Sequence, residues 1–409
     1  MNKHNYFKRK GTSIATAITV SSVAMFGLTV PAYADSHADP ATVEKLENLQ
    51  KQIDGLEEQL EAAADAMDNA AQGPGMSTGG WWNRTSVGGY GELHYNGGKK
   101  DQLDFHRFVL FINHEFSDRI RLYTEFELEH SLAGEGKPGE VELEQAWMEY
   151  DLGSNTQARA GLYIIPVGLL NETHEPPTFY GTERNPVEKN IIPTTWWEGG
   201  AGIVHRMDNG LTVEGHIHGG LDVPNSSYKI RSGRQKVANA TLRKPAFTGR
   251  IKYTGIPGVE LATSLQYQSD ITQADPGDTK SSATLWEAHA VIDRAINENV
   301  RVGFKALYAR WDISGSAAKA IGANKQDGFY IEPSVRFATA AGDVGFFYRY
   351  HKYDNKGGDA VASAYKGSAL GVNYWVHPNA VLKLDYEWQD PPPGKSKDNK
   401  IHIGFGYMF

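Results

Sequence analysis

From Trp81 to Phe409 apolar and polar side chains alternate with a period of two, and this constrains the fold more than any other feature. In "RIRLYTEFELEH" (119–130), Ile120, Leu122, Thr124, Phe126 and Leu128 share one face. Arg121, Tyr123, Glu125, Glu127 and Glu129 share the other. In "AVLKLDYEW" (380–388), Leu382, Leu384, Tyr386 and Trp388 stand against Lys383, Asp385 and Glu387. A strand with three glutamates behind an apolar row does not pack between two layers of a soluble core without cost. Such a wall fits lipid on one side and water on the other.

Sixteen strands are expected on this pattern, near 86–96, 104–116, 119–130, 141–152, 158–169, 199–206, 211–221 and 246–253 in the first half. The second half adds 259–269, 283–292, 300–311, 328–337, 344–352, 367–376, 380–388 and 400–409. Their connections alternate in length. "FSD", "GSNTQ", "MDNG", "TGIPG", "RAINEN", "ATAAGD" and "HPN" are short turns, with longer loops between them. Short turns on one rim, long loops on the other and an even strand count describe an outer-membrane barrel. Tyr95, Phe116, Tyr150, Tyr267, Phe337, Tyr374 and Trp388 lie near strand ends, where an interfacial aromatic girdle belongs. The expected fold is all-β: a 16-stranded antiparallel transmembrane β-barrel preceded by a short N-terminal coiled-coil helix. A sandwich needs fewer strands, and the repeat of about forty residues that marks a propeller is not found.

The N-terminus reads as a secretory signal peptide over 1–34. A cationic start, "MNKHNYFKRK", precedes an apolar stretch and an A-x-A site at Ala32 and Ala34. A retained anchor fits less well, since the stretch is rich in Ser and Thr and ends in Pro31. Over 41–70, Leu46, Ile53, Leu60 and Met67 alternate with Leu49, Leu56 and Ala63 as the a and d positions of a coiled coil. A solitary solvated helix is the alternative, because the seam is short. A linker follows over 71–83, containing "QGPGMSTGG", and the barrel domain spans 84–409. There is no cysteine, hence no disulfide framework or thiolate site. A net charge of −8 argues against a nucleic-acid partner.

About sixteen strands enclose an aqueous lumen, which side chains alone do not fill. The longest connection, 170–198, carries Glu183, Arg184, Glu188 and Lys189, opposed charges suited to a pore constriction. Pro176, Pro177, Pro186 and Pro193 stiffen it. A loop lying flat on the rim is the other arrangement. Parity assigns a set of basic residues to the lumen: Arg107, Arg121, Arg159, Arg250, Lys252, Arg301, Lys305, Arg336, Arg349 and Lys383. The loop before 246 adds Lys229, Arg231, Arg234, Lys236, Arg243 and Lys244 as a mouth able to concentrate anions. Acidic residues share the same lumen, among them Glu92, Glu125, Glu127, Glu129, Glu149, Glu214, Glu287 and Glu332. An anion track and salt-bridged walls both remain open on this basis.

The stretches "LEQAWMEYDLG", "ARAGLYIIPVGLL" and "FYGTERNPVEKN", the last leading into "GGAGIV", resemble the phosphate-selective porin O/P family. The resemblance runs from "VGGYGELHYN" to the end. The N-terminal helix is similar to that of relatives with a periplasmic coiled coil ahead of a trimeric dicarboxylate-type porin. It implies a homotrimer in the outer membrane of a Gram-negative bacterium, with the helix in the periplasm. Passive uptake of small anions such as phosphate or dicarboxylates follows, with an eyelet in the third long loop. The acidic lumen departs from the arginine ladder of that family. The last strand resembles the C-terminal assembly signal of outer-membrane proteins, with Phe405, Tyr407 and Phe409 read by the barrel assembly machinery.

No catalytic residue, cofactor or metal site is expected, and the protein is not read as an enzyme. "HIH" (His216–His218) reads as a solvated pair on one strand face. "HEP" at His174 and "HEF" at His114 lack the second histidine of a zincin helix. A weakly selective or cation-preferring porin, a barrel enzyme and a tether to the cell wall are the rival readings.

Overall fold

The computed structural model describes residue 51 and residues 80–409. The expected signal peptide, the coiled-coil helix apart from residue 51, and most of the linker lie outside the described residues. A short 3-10 turn, Trp81–Arg84, leads into sixteen strands. The first four are β1 (Thr85–Gly97), β2 (Gln102–Ser117), β3 (Ile120–Glu129) and β4 (Val141–Asp151). Next come β5 (Thr156–Ile164), β6 (Trp197–Arg206), β7 (Leu211–His218) and β8 (Ala246–Tyr253). They are followed by β9 (Val259–Gln268), β10 (Ala283–Ala295), β11 (Val300–Ile313) and β12 (Lys325–Thr339). The last are β13 (Gly342–Asp354), β14 (Tyr365–His377), β15 (Ala380–Asp390) and β16 (Lys400–Met408).

Inside a bilayer no water is at hand for peptide N–H and C=O groups, so a spanning sheet must satisfy them within itself. Each strand pairs antiparallel with its sequence neighbours, and β16 returns to β1 to close the barrel. At the seam Leu93 faces Phe405 and Tyr95 faces Ile403. The Gly89 and Phe409 amides donate to each other's carbonyls at 3.1 and 2.9 Å. All sixteen expected strands are present, 246–253 with identical bounds. β5 stops at Ile164, short of the expected 169. Pro166 supplies no N–H to a ladder, and the chain leaves the wall there.

The radial polarity is that of a membrane barrel. Val87, Ile203, Phe247, Leu265 and Leu370 are exposed on the outside, whereas Glu92, Arg107, Glu214, Arg250, Glu332 and Arg349 are buried within. Phe116, Tyr150 and Phe337 are exposed next to short turns, and Tyr267, Trp286 and Trp388 beside long loops, giving two aromatic belts.

One sector inverts this rule. On β11 the inward face changes from Lys305 to Leu307, Ala309, Trp311 and Ile313, all four buried, while Arg310 and Asp312 pair outside at 2.8 Å. Those inward residues, with Leu285 and Tyr330, pack on apolar side chains from the long loops at 165–196, 219–245, 269–282 and 314–324. Val187, Ile191, Ile192 and Trp196 come from the first of these, and Leu221, Val223 and Ile230 from the second. Strand count alone suggested a water-filled interior; on this side the interior is a packed core.

Trp311 is fully buried and its indole N–H donates to the Ile191 carbonyl at 2.9 Å. Trp311→Ala should cost about 3–5 kcal/mol, as large-to-small core changes do. It should lower the temperature at which the folded band is lost in heat-modifiability electrophoresis. Trp286→Ala, on the lipid side, should lower it much less.

Candidate functional site

Loop 165–196 crosses the lumen, and inward side chains of the wall hold it there through its main chain. Arg107 donates to the His174 carbonyl at 2.9 Å, and Arg349 to that of Tyr180 at 2.6 Å. The Lys383 ammonium donates to the Gly181 carbonyl at 2.8 Å and sits 3.6 Å over the Phe179 ring. Trp375 and Asn373 donate to the Pro177 and Phe179 carbonyls at 3.0 and 3.1 Å. Asp385 accepts the Thr182 amide at 2.8 Å. A loop inside a barrel needs partners for its peptide groups, and the polar inner face supplies them.

Three wall glycines make room for this strap. A Cβ on Gly345 would meet the Tyr180 hydroxyl at 2.5 Å, one on Gly404 would meet Thr182 at 2.9 Å, and one on Gly406 would meet Pro176 at 2.2 Å. The loop lies against the wall at those positions at a distance only glycine permits.

The four residues expected at the constriction take different places. Glu183 is held to β1, accepting from Asn96 at 2.8 Å and lying 3.2 Å from His94. Glu188, on the short helix α1 (Val187–Asn190), has no exposure at all. Its carboxylate accepts the Leu169 and Leu170 amides at 3.0 and 2.6 Å and the Tyr330 hydroxyl at 2.7 Å. Burial pushes this carboxyl up from its ordinary range, against those hydrogen bonds. Glu188 is thus a staple of the strap and presents no charge to water. Lys189 is exposed, and Arg184 is half-buried, with its Nε lacking a partner among the described residues.

The ten basic residues assigned by parity divide into three groups. Arg107, Arg250, Arg349 and Lys383 are buried and committed to the strap or its acids: Arg107 meets Glu92 at 2.6 Å, Arg349 meets Glu332 at 2.6 Å, and Arg250 binds Glu214 and Glu172. Arg121 and Arg159 converge on Glu149 at 3.0 and 3.2 Å, and Lys252 is half-buried on the face of Arg250. Arg301, Lys305 and Arg336 line a cavity of about 310 Å³ between the strap and the short-turn rim, together with Glu260 and Asp293. A continuous ladder of free guanidiniums is therefore absent among the described residues.

Nearer the long loops two faces of opposite sign stand together. Arg184 is joined by Arg231 and Arg234, whose guanidiniums donate to the Thr194 and Thr195 carbonyls. The facing wall carries Glu125, Glu127 and Glu129 on β3 and Glu142 and Glu144 on β4. Lys236 bridges the two faces, touching Glu140 and Glu142. Glu127 and Glu142 oppose each other directly across the strand pair, a costly juxtaposition that concentrates negative potential.

Sequence reasoning missed Glu144 and the role of His174. With Glu149 inward, simple alternation turns Glu144 outward, but the register slips between Glu125 and Phe126, and Glu144 is the extra residue of that bulge. Glu144 and Gln145 consequently both point inward, Gln145 donating to Glu125 at 2.7 Å. His216 and His218, expected to be solvated, are buried: the first lies 3.1 Å from Glu214 and the second 2.8 Å from the Thr248 hydroxyl. Phe405, Tyr407 and Phe409 follow one another up the outer face of β16 with rings 5.6 and 6.4 Å apart.

No family model matches the chain. The chain is 30% identical over 346 residues to an uncharacterized protein of Aquifex aeolicus, covering 78% of each, and belongs to the same family. Among solved structures it is similar to an anion-selective porin from Comamonas acidovorans, with a TM-score of 0.54, 9% identity, and 80% of this chain and 99% of that one covered. It is similar also to the outer membrane channel DcaP of Acinetobacter baumannii (TM-score 0.51, 12% identity, 80% and 97% covered). A third is OmpT, an outer membrane protein of Vibrio cholerae, in a trimer form (TM-score 0.51, 12% identity, 80% and 99% covered). At these identities the likeness is one of fold.

Glu188→Ala strands three buried donors, each costing about 1–3 kcal/mol. The strap should then be cut by trypsin at Arg184 or Lys189 far faster than in the parent, with the barrel itself left intact on electrophoresis.

Proposed function

We propose that this barrel is an outer-membrane porin, a homotrimer through which small solutes, preferentially anions of the phosphate and dicarboxylate class, diffuse passively. The observation that carries the reading is the strap across the lumen, with Arg184 unsaturated and Lys189 exposed. Loop 165–196 narrows the passage, and the cations it shares with Arg231 and Arg234 stand where a solute must go. Below it Lys305, beside Arg301 and Arg336 in their pairs with Asp293 and Asp343, offers a second basic station before the short-turn rim. An anion handed between two such stations is held by charge and released by the acids beside them, the balance of binding and exit that permeation needs.

The names of the fold relatives support the same reading, one being an anion-selective porin and another a channel. On this reading 1–34 directs export, 41–70 aligns three barrels from the periplasm of a Gram-negative cell, and Phe405, Tyr407 and Phe409 present the last strand to the assembly machinery. The motifs named above resemble those of the phosphate-selective porin O/P family. The commitment of four of the ten lumen cations to the strap favours a pore less strictly anionic than that pattern. A cation-preferring pore is the second reading, favoured by the carboxylates of β3 and β4.

Reversal potential across a planar bilayer under a salt gradient decides between them. Arg184→Ala should shift permeability toward cations by roughly fivefold, the effect of about 1 kcal/mol from one charge near the path. No shift with Arg184→Ala, together with a parent pore that prefers cations, would establish the second reading. Deletion of 41–70 should leave single-channel steps intact while the trimer dissociates at a lower temperature in detergent.

A further inference from the structure

The strap meets the β3–β4 wall at a group of side chains that the pore reading leaves without a task. His174, from the loop, faces Glu125 and Glu144, and all three are buried to about 3% exposure or less. The His174 Nε2 lies 3.5 Å from Glu125 Oε1 and 3.7 Å from Glu144 Oε2. His174 Nδ1 is 3.2 Å from the Asn171 carbonyl, which can only accept, so Nδ1 is the donor there and Nε2 is the nitrogen left facing the carboxylates.

Nothing among the described residues completes this arrangement. His174 Nε2, Glu144 Oε2 and both oxygens of Glu127, two residues beyond Glu125 on the same face, have no hydrogen-bond partner. So dense a set of unpartnered buried polar atoms is costly. Arg107, donating to the His174 carbonyl, and Arg184, within electrostatic reach of Glu144, are the cations nearby. Neither hydrogen-bonds any of the three ligand atoms, and Arg107 Nη1 and Arg184 Nε are themselves without a partner among the described residues.

We propose that His174, Glu125 and Glu144 bind a divalent transition-metal ion of the zinc class, which pins the strap to the wall. The three ligand atoms lie within 4.8 Å of one another. Ligands about 2.1 Å from a tetrahedral zinc stand roughly 3.4 Å apart, close to the two separations the structure has. One imidazole nitrogen with two carboxylates selects such an ion over calcium, which takes six or more oxygens. The supporting contacts are those of a metal site: Asn171 orients the imidazole, and Tyr90 and Gln145 donate to Glu125 at 3.2 and 2.7 Å. The β-bulge that turns Glu144 inward is what assembles the group. Glu127, unpaired on the same face, is placed to close a fourth position or to hold a water there.

This goes beyond the pore reading and does not depend on which solute passes. The full-length protein, purified in detergent, stripped with a chelator and dialysed, is titrated with zinc ions alone and then analysed for bound metal after gel filtration. About one zinc per chain is expected. Glu144→Gln and His174→Gln should each weaken it by at least about tenfold, the loss that even an outer-shell partner causes. A second cluster, Asp104, His106 and His130, supplies the control. His106→Gln should leave the uptake unchanged. The proposal is overturned if the parent retains no zinc, if calcium displaces it at equal concentration, or if uptake is lost in His106→Gln and kept in Glu144→Gln. Should Glu144→Gln fail to give folded barrel, His174→Gln, which removes only a loop side chain, decides alone.

Discussion

Peptide groups in a bilayer have no partner but one another, and the architecture follows from that constraint. It forces sixteen strands to close at the β1–β16 seam, and closure fixes the alternation of faces along every strand. Once the outer face is given to lipid, the inner face must be polar, and a polar inner wall is what a loop needs if it is to lie inside the barrel. The strap at 165–196 is accordingly held through carbonyls by Arg107, Arg349, Lys383, Asn373 and Trp375. The residues that make the lumen look like a conduit for anions are in part those that build its constriction.

That double use shapes the electrostatics. Cations tied to main-chain oxygens and to neighbouring glutamates are fixed in position and screened by their partners. Those left with unsaturated or solvated heads set the field a solute meets, and among the described residues Arg184, Lys189 and Lys305 fit that description, whereas Arg301 and Arg336 pair with Asp293 and Asp343 at 2.9 and 2.8 Å. Net charge of the lumen is then a poor guide to selectivity; the arrangement of opposite faces a few ångströms apart matters more.

Much of the fold was legible because alternation is local. Ile120 to Glu129 declares both faces of its strand without reference to any other, and the turn lengths declare the rims. The places where sequence reading failed are those where a residue's environment is set from far away. Glu188 looks like a pore charge until the Tyr330 hydroxyl and two amides are seen around it. Glu144 is hidden by a bulge, since one extra residue reverses every parity assignment near it. Trp311 and Leu307 read as inward residues of a hydrated wall, and nothing local announces the loop side chains that cover them. The signal in β11 was present but faint: charged Arg310 and Asp312 on the face that should meet lipid.

That reversal along β11 divides the molecule by solvent. Toward the short turns, the apolar side chains of the wall face outward, where acyl chains cover them. Toward the long loops, Trp311, Trp196 and their neighbours are withdrawn from water, as in any globular core. Both kinds of burial take apolar surface from water, but the second is set by side-chain packing within the protein and the first by the thickness and composition of the bilayer. The long-loop end of this barrel is therefore built like a small globular core standing on a lipid-facing cylinder, and a change of lipid acts on the second and not on the first.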